Sequence, residues 1–143
     1  MILDGKKESA LLREEIKKEI SEIKIKINKS PGLYVILIGD FVPSQIYVKN
    51  KEKNSKEVGI NSKIIRYPKE VKESEILEKI EELNNNNNVS GILVQLPLPA
   101  HISKEKIINA IKSSKDVDGF HPINVGNLSL GYKAIVPCTP LGC

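Results

Sequence analysis

LYVILIG, residues 33–39, is the stretch that decides the fold. It is an unbroken apolar run of strand length that stops at a glycine. A strand with one wet face alternates apolar and polar residues. An unbroken run fits a strand buried on both faces, as in a parallel sheet covered by helices.

The flanks agree. Upstream, Leu12, Ile16, Ile20, Ile23 and Ile27 recur in steps of three and four, one stripe of a helix over residues 8–27. SPG at 30–32 ends it. Downstream, residues 40–44 form a loop, with Ser44 placed to cap a helix that runs to Val58 and stops at Gly59. NSKIIRYP, 61–68, reads as a second strand. Ile76, Leu77, Ile80 and Leu83 share one side of a helix over 74–83. Five asparagines, 84–88, follow as a low-complexity loop. Asparagine tolerates left-handed backbone at a helix end, and no functional role is expected of the run. VSGILVQL, 89–96, is the third strand. It leads into the turn PLP at 97–99, and Ser103 caps a short helix over 103–111. A first helix followed by alternating strands and helices predicts an α/β three-layer sandwich, with a mainly parallel sheet flanked by helices and right-handed crossovers.

The bulk numbers bound the function. The chain has 143 residues, 40% of them hydrophobic, enough for one domain with its own core. Its 22 basic and 18 acidic residues leave a net +4 with no block of basic residues. This points away from nucleic acid and suits an anionic small molecule. No stretch reaches membrane-spanning length, and the N-terminus lacks the apolar core of a signal peptide. Two cysteines, Cys138 and Cys143, make neither a four-ligand zinc site nor a disulfide framework. A reducing cytoplasmic setting is expected, with no metal.

In a parallel sheet, ligands bind beyond the carboxyl ends of the strands. That rule selects residues 39–51, 95–99 and the late polar cluster KDVDGFHP at 115–122. Tyr47 and Lys51 lie four apart on a predicted helix and share a face, an aromatic platform beside an amine. Spacing alone favours the plainer reading, with Tyr47 a half-buried core residue and Lys51 part of a solvated charged face. Gln95 ends an apolar strand, where its amide can accept and donate at once, or be satisfied by backbone. Asp116 and Asp118 sit in a loop. Asp118-Gly119 is also a common turn pair, and His121 before Pro122 reads as structural. LIGD, 37–40, has one glycine and lacks the GxGxxG spacing of a dinucleotide site.

Together these stretches carry a resemblance. LDGK (3–6), PSQIYVKNK (43–51), EVGI (57–60), GILVQLPLP (91–99), KDVDGFHPINVG (115–126) and PCTPLG (137–142) occur in order from end to end. The chain resembles the methylenetetrahydrofolate dehydrogenase/methenyltetrahydrofolate cyclohydrolase family. The resemblance implies a tetrahydrofolate-binding catalytic domain over 1–132. It implies that 133–143 begin the connection to a Rossmann domain that binds NADP or NAD. The activities implied are oxidation of 5,10-methylene-tetrahydrofolate to the methenyl form and its hydrolysis to 10-formyl-tetrahydrofolate. Four roles follow from the matched positions. Lys51 is catalytic. Tyr47 stacks on the folate. Gln95 positions the lysine. Asp118 holds the pterin. No cofactor is expected on these residues themselves. A homodimer is implied for the full-length enzyme, with a monomer or weak association for this length of chain. A folate-binding unit without turnover is the alternative. Asn127 stands where the family often has arginine.

Overall fold

The fold was obtained as a computed structural model, which describes residues 4–142. Leu3 of the LDGK stretch and Cys143 lie outside the described residues. Three strands form one parallel sheet: β1 (Gly32–Ile38), β2 (Asn61–Tyr67) and β3 (Gly91–Val94). Their spatial order is β2-β1-β3, so the run that decided the fold is the central strand. Val35 lies level with Ile64 and Leu93, and Ile36 with Ile65 and Val94.

Alternate side chains of β1 feed two cores, as a strand buried on both faces must. Val35 and Leu37 join Val48 and Leu93 beneath helix α2 (Val42–Glu57). Ile36 and Ile38 join Ile76, Ile80 and Leu83 of helix α3 (Glu73–Asn85), together with Ile107 of helix α4 (Lys104–Ala110). The three layers are therefore helix, sheet, helix, as the alternation predicts.

Helix α1 (Gly5–Ile27) departs from expectation. Of its five-residue stripe only Ile20 is buried. Ile16 is half-buried, while Leu12, Ile23 and Ile27 face solvent. The helix leans on α2 along a narrow line, fastened by an ion pair of Arg13 Nε with Glu57 at 3.3 Å. Its stripe is wider than the contact it makes. It ends on Asn28 in left-handed backbone, φ 50°.

Ser44 is not the cap of α2. The helix starts two residues earlier, at Val42 after Phe41, and has no side-chain cap. Pro43 sits in the first turn, where its missing N–H costs nothing. The asparagine loop also differs from expectation. Asn86 at the end of α3 is extended rather than left-handed. Asn84 is buried, donating from Nδ2 to Ala110 O at 2.7 Å and accepting from Lys112 N–H at 3.0 Å. Lys115 Nζ donates to the carbonyls of Leu83, Asn84 and Asn86 at 2.8–2.9 Å. Lys115 thus supplies partners for the last carbonyls of α3, and Asn84 for the last carbonyl of α4.

Helix α5 (Pro122–Ser129) and the short helix α6 (Cys138–Gly142) complete the described chain. His121 Nδ1 accepts from Ile123 N–H at 3.1 Å and caps α5 just before Pro122, so its structural reading holds. No described helix is long and apolar enough to cross a membrane.

Candidate active site

The sheet order places a switch point between β1 and β3, because one connection leaves β1 toward β2 and the chain returns to the other side as β3. A crevice at such a point is the usual ligand position. An open cleft of about 800 Å³ lies there, between α2 on one side and the segment after residue 115 on the other. Tyr47, Lys51, Gln95 and Asp118 all line it. Three regions distant in sequence therefore meet as the strand-end rule predicts.

Each side chain is placed by its element. Tyr47 and Lys51 follow each other by one turn of α2, whose inner residues Ser44, Val48 and Ser55 are buried. Tyr47 is 62% exposed, leaving a ring face open for stacking. The half-buried Lys51 Nζ donates to Gln95 Oε1 at 3.1 Å. Gln95 Nε2 donates to Leu96 O at 2.8 Å, which fixes the amide with its oxygen toward the lysine. Ser44 Oγ donates to the same carbonyl at 3.3 Å and ties α2 to the end of β3. Ser44 thus belongs to the frame of the site rather than to a helix cap.

Asp118 sits on a turn completed by Gly119, whose φ is +72°. A Cβ at 119 would lie 2.5 Å from Ile135 O, so only glycine fits there. Burial pushes the Asp118 carboxyl above the ordinary carboxylate range. Lys51 pulls it partly back, and Asp116 adds to the rise. A half-buried carboxylate facing a cleft is primed to accept from ligand N–H groups, which would replace the water it has lost. Leu33, Leu93 and Val117 supply apolar wall, and Pro137 to Pro140 close one side. Neither Phe120 nor Thr139, both on the cleft wall, was singled out from sequence, since no spacing marks a wall residue. Residues 39–41 line a second hollow of about 250 Å³ with Lys69 and residues 97–99, separate from the four polar groups.

A flat ring, an amine held by an amide, and a partly desolvated carboxylate suit a planar heterocycle bearing N–H donors next to a centre that exchanges protons. Residues 3–118 match the model of the tetrahydrofolate dehydrogenase/cyclohydrolase catalytic domain.

The chain belongs to that family.

Among curated relatives, the bifunctional protein FolD of Pelagibacter ubique is 62% identical over all 143 residues. That of Listeria innocua is 52% identical over 141. The chain covers 100% and 99% of itself in these matches but 51% and 49% of the relatives, so it spans about half their length. Among solved structures, the bifunctional FolD of Campylobacter jejuni superposes with a TM-score of 0.95 at 50% identity, covering 99% of this chain and 50% of that one. The Trypanosoma brucei methylenetetrahydrofolate dehydrogenase-cyclohydrolase, solved with NADP cofactor and an inhibitor, gives 0.93 at 32%, covering 97% and 48%.

The described residues do not fit a dinucleotide. The turn after β1 offers one glycine, Gly39, followed by the acidic Asp40, and α2 begins with Pro43 in its first turn. A pyrophosphate needs free amides at a helix start and no carboxylate there. Nor do the described residues contain a cluster of three or more His, Cys, Asp or Glu that could hold a metal ion.

Proposed function

We propose that this chain is the folate-binding catalytic portion of a methylenetetrahydrofolate dehydrogenase/methenyltetrahydrofolate cyclohydrolase. The observation that carries the reading is the Lys51–Gln95 bond, set in one cleft with Tyr47 and Asp118. Tyr47 stacks on the folate, and Asp118 accepts from pterin N–H groups and orients the ring. Gln95 holds the Lys51 amine at the one-carbon bridge.

In the hydrolytic step, water attacks the cationic methenyl carbon. Lys51 takes a proton from that water as the C–O bond forms. The hydroxyl on that carbon then gives up its proton as its oxygen becomes the formyl C=O, and the bond from the carbon to N5 breaks with its electron pair going to N5. N5 takes up that proton, and the formyl group stays on N10 while the proton held by Lys51 is released to solvent. An amine can move between charged and neutral forms in this role, whereas a guanidinium stays charged. In the dehydrogenase activity NADP or NAD accepts the hydride. It is held in the whole protein outside the residues described, across a boundary near residue 132. The segment 133–143 leads toward that domain, while its residues 137–140 also wall the cleft. The same reading makes the whole enzyme a cytoplasmic homodimer of one-carbon metabolism.

The test is hydrolysis of 5,10-methenyl-tetrahydrofolate, which needs no nucleotide. Lys51→Met keeps much of the side-chain length and removes the amine. Its turnover should fall about a hundred- to ten-thousand-fold, with folate affinity changed much less. Gln95→Ala should give a milder loss, because the lysine remains but is no longer held. Near-normal turnover of Lys51→Met would defeat the reading. Folate binding by the parent chain with no turnover at all would replace it with a binding unit.

A further inference from the structure

Asp116 lies two residues from Asp118, is 3% exposed, and does not line the cleft. Its carboxylate takes three hydrogen bonds. Oδ1 accepts from Gly119 N–H at 3.1 Å, and Oδ2 accepts from His121 N–H at 2.8 Å and from Asn124 Nδ2 at 2.9 Å. Asn124 is itself buried and donates to Ser113 O at 2.9 Å. The backbone beneath is fixed as well. Asp116 pairs with Ile92 in a single parallel bridge, Ile92 N–H donates to Lys115 O at 2.8 Å, and Asp116 N–H donates to Lys112 O at 3.1 Å.

These bonds have a common geometry. Residues 116–121 form an arch that leaves the edge of β3 and returns to α5. Asp118 stands on that arch facing the cleft, and Asp116 receives an amide from the turn just past it and another from its far foot. Gly119 on the same arch packs against the backbone at Ile135. A carboxylate suits this place because it only accepts, and every neighbour donates. An asparagine there would turn one NH₂ toward a backbone N–H and leave a buried donor unmet.

We propose that Asp116 is the positioning residue for Asp118: it gathers Gly119, His121 and Asn124 onto one buried carboxylate and so fixes where the arch presents Asp118 to the folate ring. The proposal rests on Asp118 as the pterin anchor. Asp116 touches no substrate and acts through the arch.

A double-mutant cycle separates positioning from general stabilisation. The parent chain, Asp116→Asn, Asp118→Asn and the double variant are compared for binding of 5-formyl-tetrahydrofolate by calorimetry and for kcat on methenyl-tetrahydrofolate. Asp118→Asn should weaken binding by about tenfold or more, and Asp116→Asn by roughly tenfold, an ordinary coupling between residues of one network. The saturated kcat of Asp116→Asn should change much less. The double variant should bind no more weakly than Asp118→Asn alone, because Asp116 then has nothing left to position. If the two losses multiply, or Asp116→Asn binds like the parent, the positioning role is overturned while the anchor reading stands. If Asp118→Asn itself binds normally, the anchor reading falls and this inference with it. Should Asp116→Asn lack a cooperative melt, Asn124→Ala takes its place in the cycle. It removes one donor, leaves both backbone bonds, and should show the same loss of effect in the Asp118→Asn background.

Discussion

Lys51 and Asp118 carry opposite formal charges in one cleft, yet burial outweighs the lysine in setting the carboxyl. The sign of the consequence is definite. Asp118 holds its proton more tightly folded than unfolded, so ionising it costs folding stability. The cost is complete above the raised folded value and gone below the ordinary 3.8. Asp118→Asn should therefore melt higher than the parent at neutral pH, and the gap should close as the pH is lowered through the carboxylate range. Parallel thermal melts from neutral to acid pH read this directly. A variant that loses stability at pH 7 would show that the carboxylate is held by bonds rather than penalised by burial. Sites that trade stability for function gain stability when the functional group is removed, as expected here for Asp118.

The four side chains that meet in the cleft sat at positions the sequence marks, a strand end, a helix face and a late polar loop, but position left each an ordinary structural alternative and only the family resemblance singled them out. Ser44 and Asp116 were not singled out for the site. Ser44 stood at the start of a predicted helix and so looked like a cap, and only the fold brings Leu96 O within its reach. The three donors to Asp116 come from residues up to eight positions later, a pattern that neither helical nor strand period marks.

At the scale of elements, the three strands and the first four helices lie where periodicity placed them, with differences at their ends, whereas α5 and α6 carry no period that marked them. Hydrophobic period locates an element's body, whereas its end depends on which polar group happens to reach the last carbonyls. The end of α3 shows this. Five like residues gave no way of telling which asparagine turns inward, yet Asn84 alone bridges Ala110 and Lys112. Asn84→Ala removes a buried amide and leaves the half-buried Ala110 carbonyl and the Lys112 N–H without their partners. It should cost about 1–3 kcal/mol in urea unfolding. Asn87→Ala, on an exposed position three residues on, should change stability by less than about 0.5 kcal/mol. Equal effects of the two would mean that the asparagine loop is held as a unit rather than through one side chain. The start of α4 is fastened by different means. Glu73 accepts from Ser103 N–H at 2.6 Å and from Lys106 Nζ at 2.8 Å, while Ser103 Oγ accepts from Lys106 N–H at 3.3 Å.

For the whole molecule, the two cores are unequal. Among the described residues, the face toward α3 and α4 holds twelve buried hydrophobic residues and the face toward α2 holds four. Helix α1 lies outside both. Its hold depends on Ile20, 7% exposed, and on the pair Arg13–Glu57, and half-exposed ion pairs contribute little. Ile20→Ala should therefore cost about 2 kcal/mol or more, while Leu12→Ala should stay within about 0.5 kcal/mol. Hydrogen exchange should find the amides of α1 opening before those of β1. An α1 protected as strongly as the central strand would contradict this. The sequence could not reveal the weakness, because a stripe at helical spacing says which face is apolar and not how much of it finds a partner.

Strand β2 has a further consequence that concerns neither folate nor folding. Among the described residues it pairs with β1 alone, so its outer rim carries backbone donors and acceptors with no strand beside them. Such a rim is a template on which a second copy of the chain can lay its own strand. Lys63 and Arg66 are both exposed there, and each is already engaged, Lys63 lying 5.7 Å from the centre of the Tyr34 ring and Arg66 Nη1 donating to Gln45 at 3.3 Å. Two copies meeting rim to rim would bring like charges together and strip water from them. Charges so placed disfavour the stacking of copies along this rim, which an apolar rim would favour.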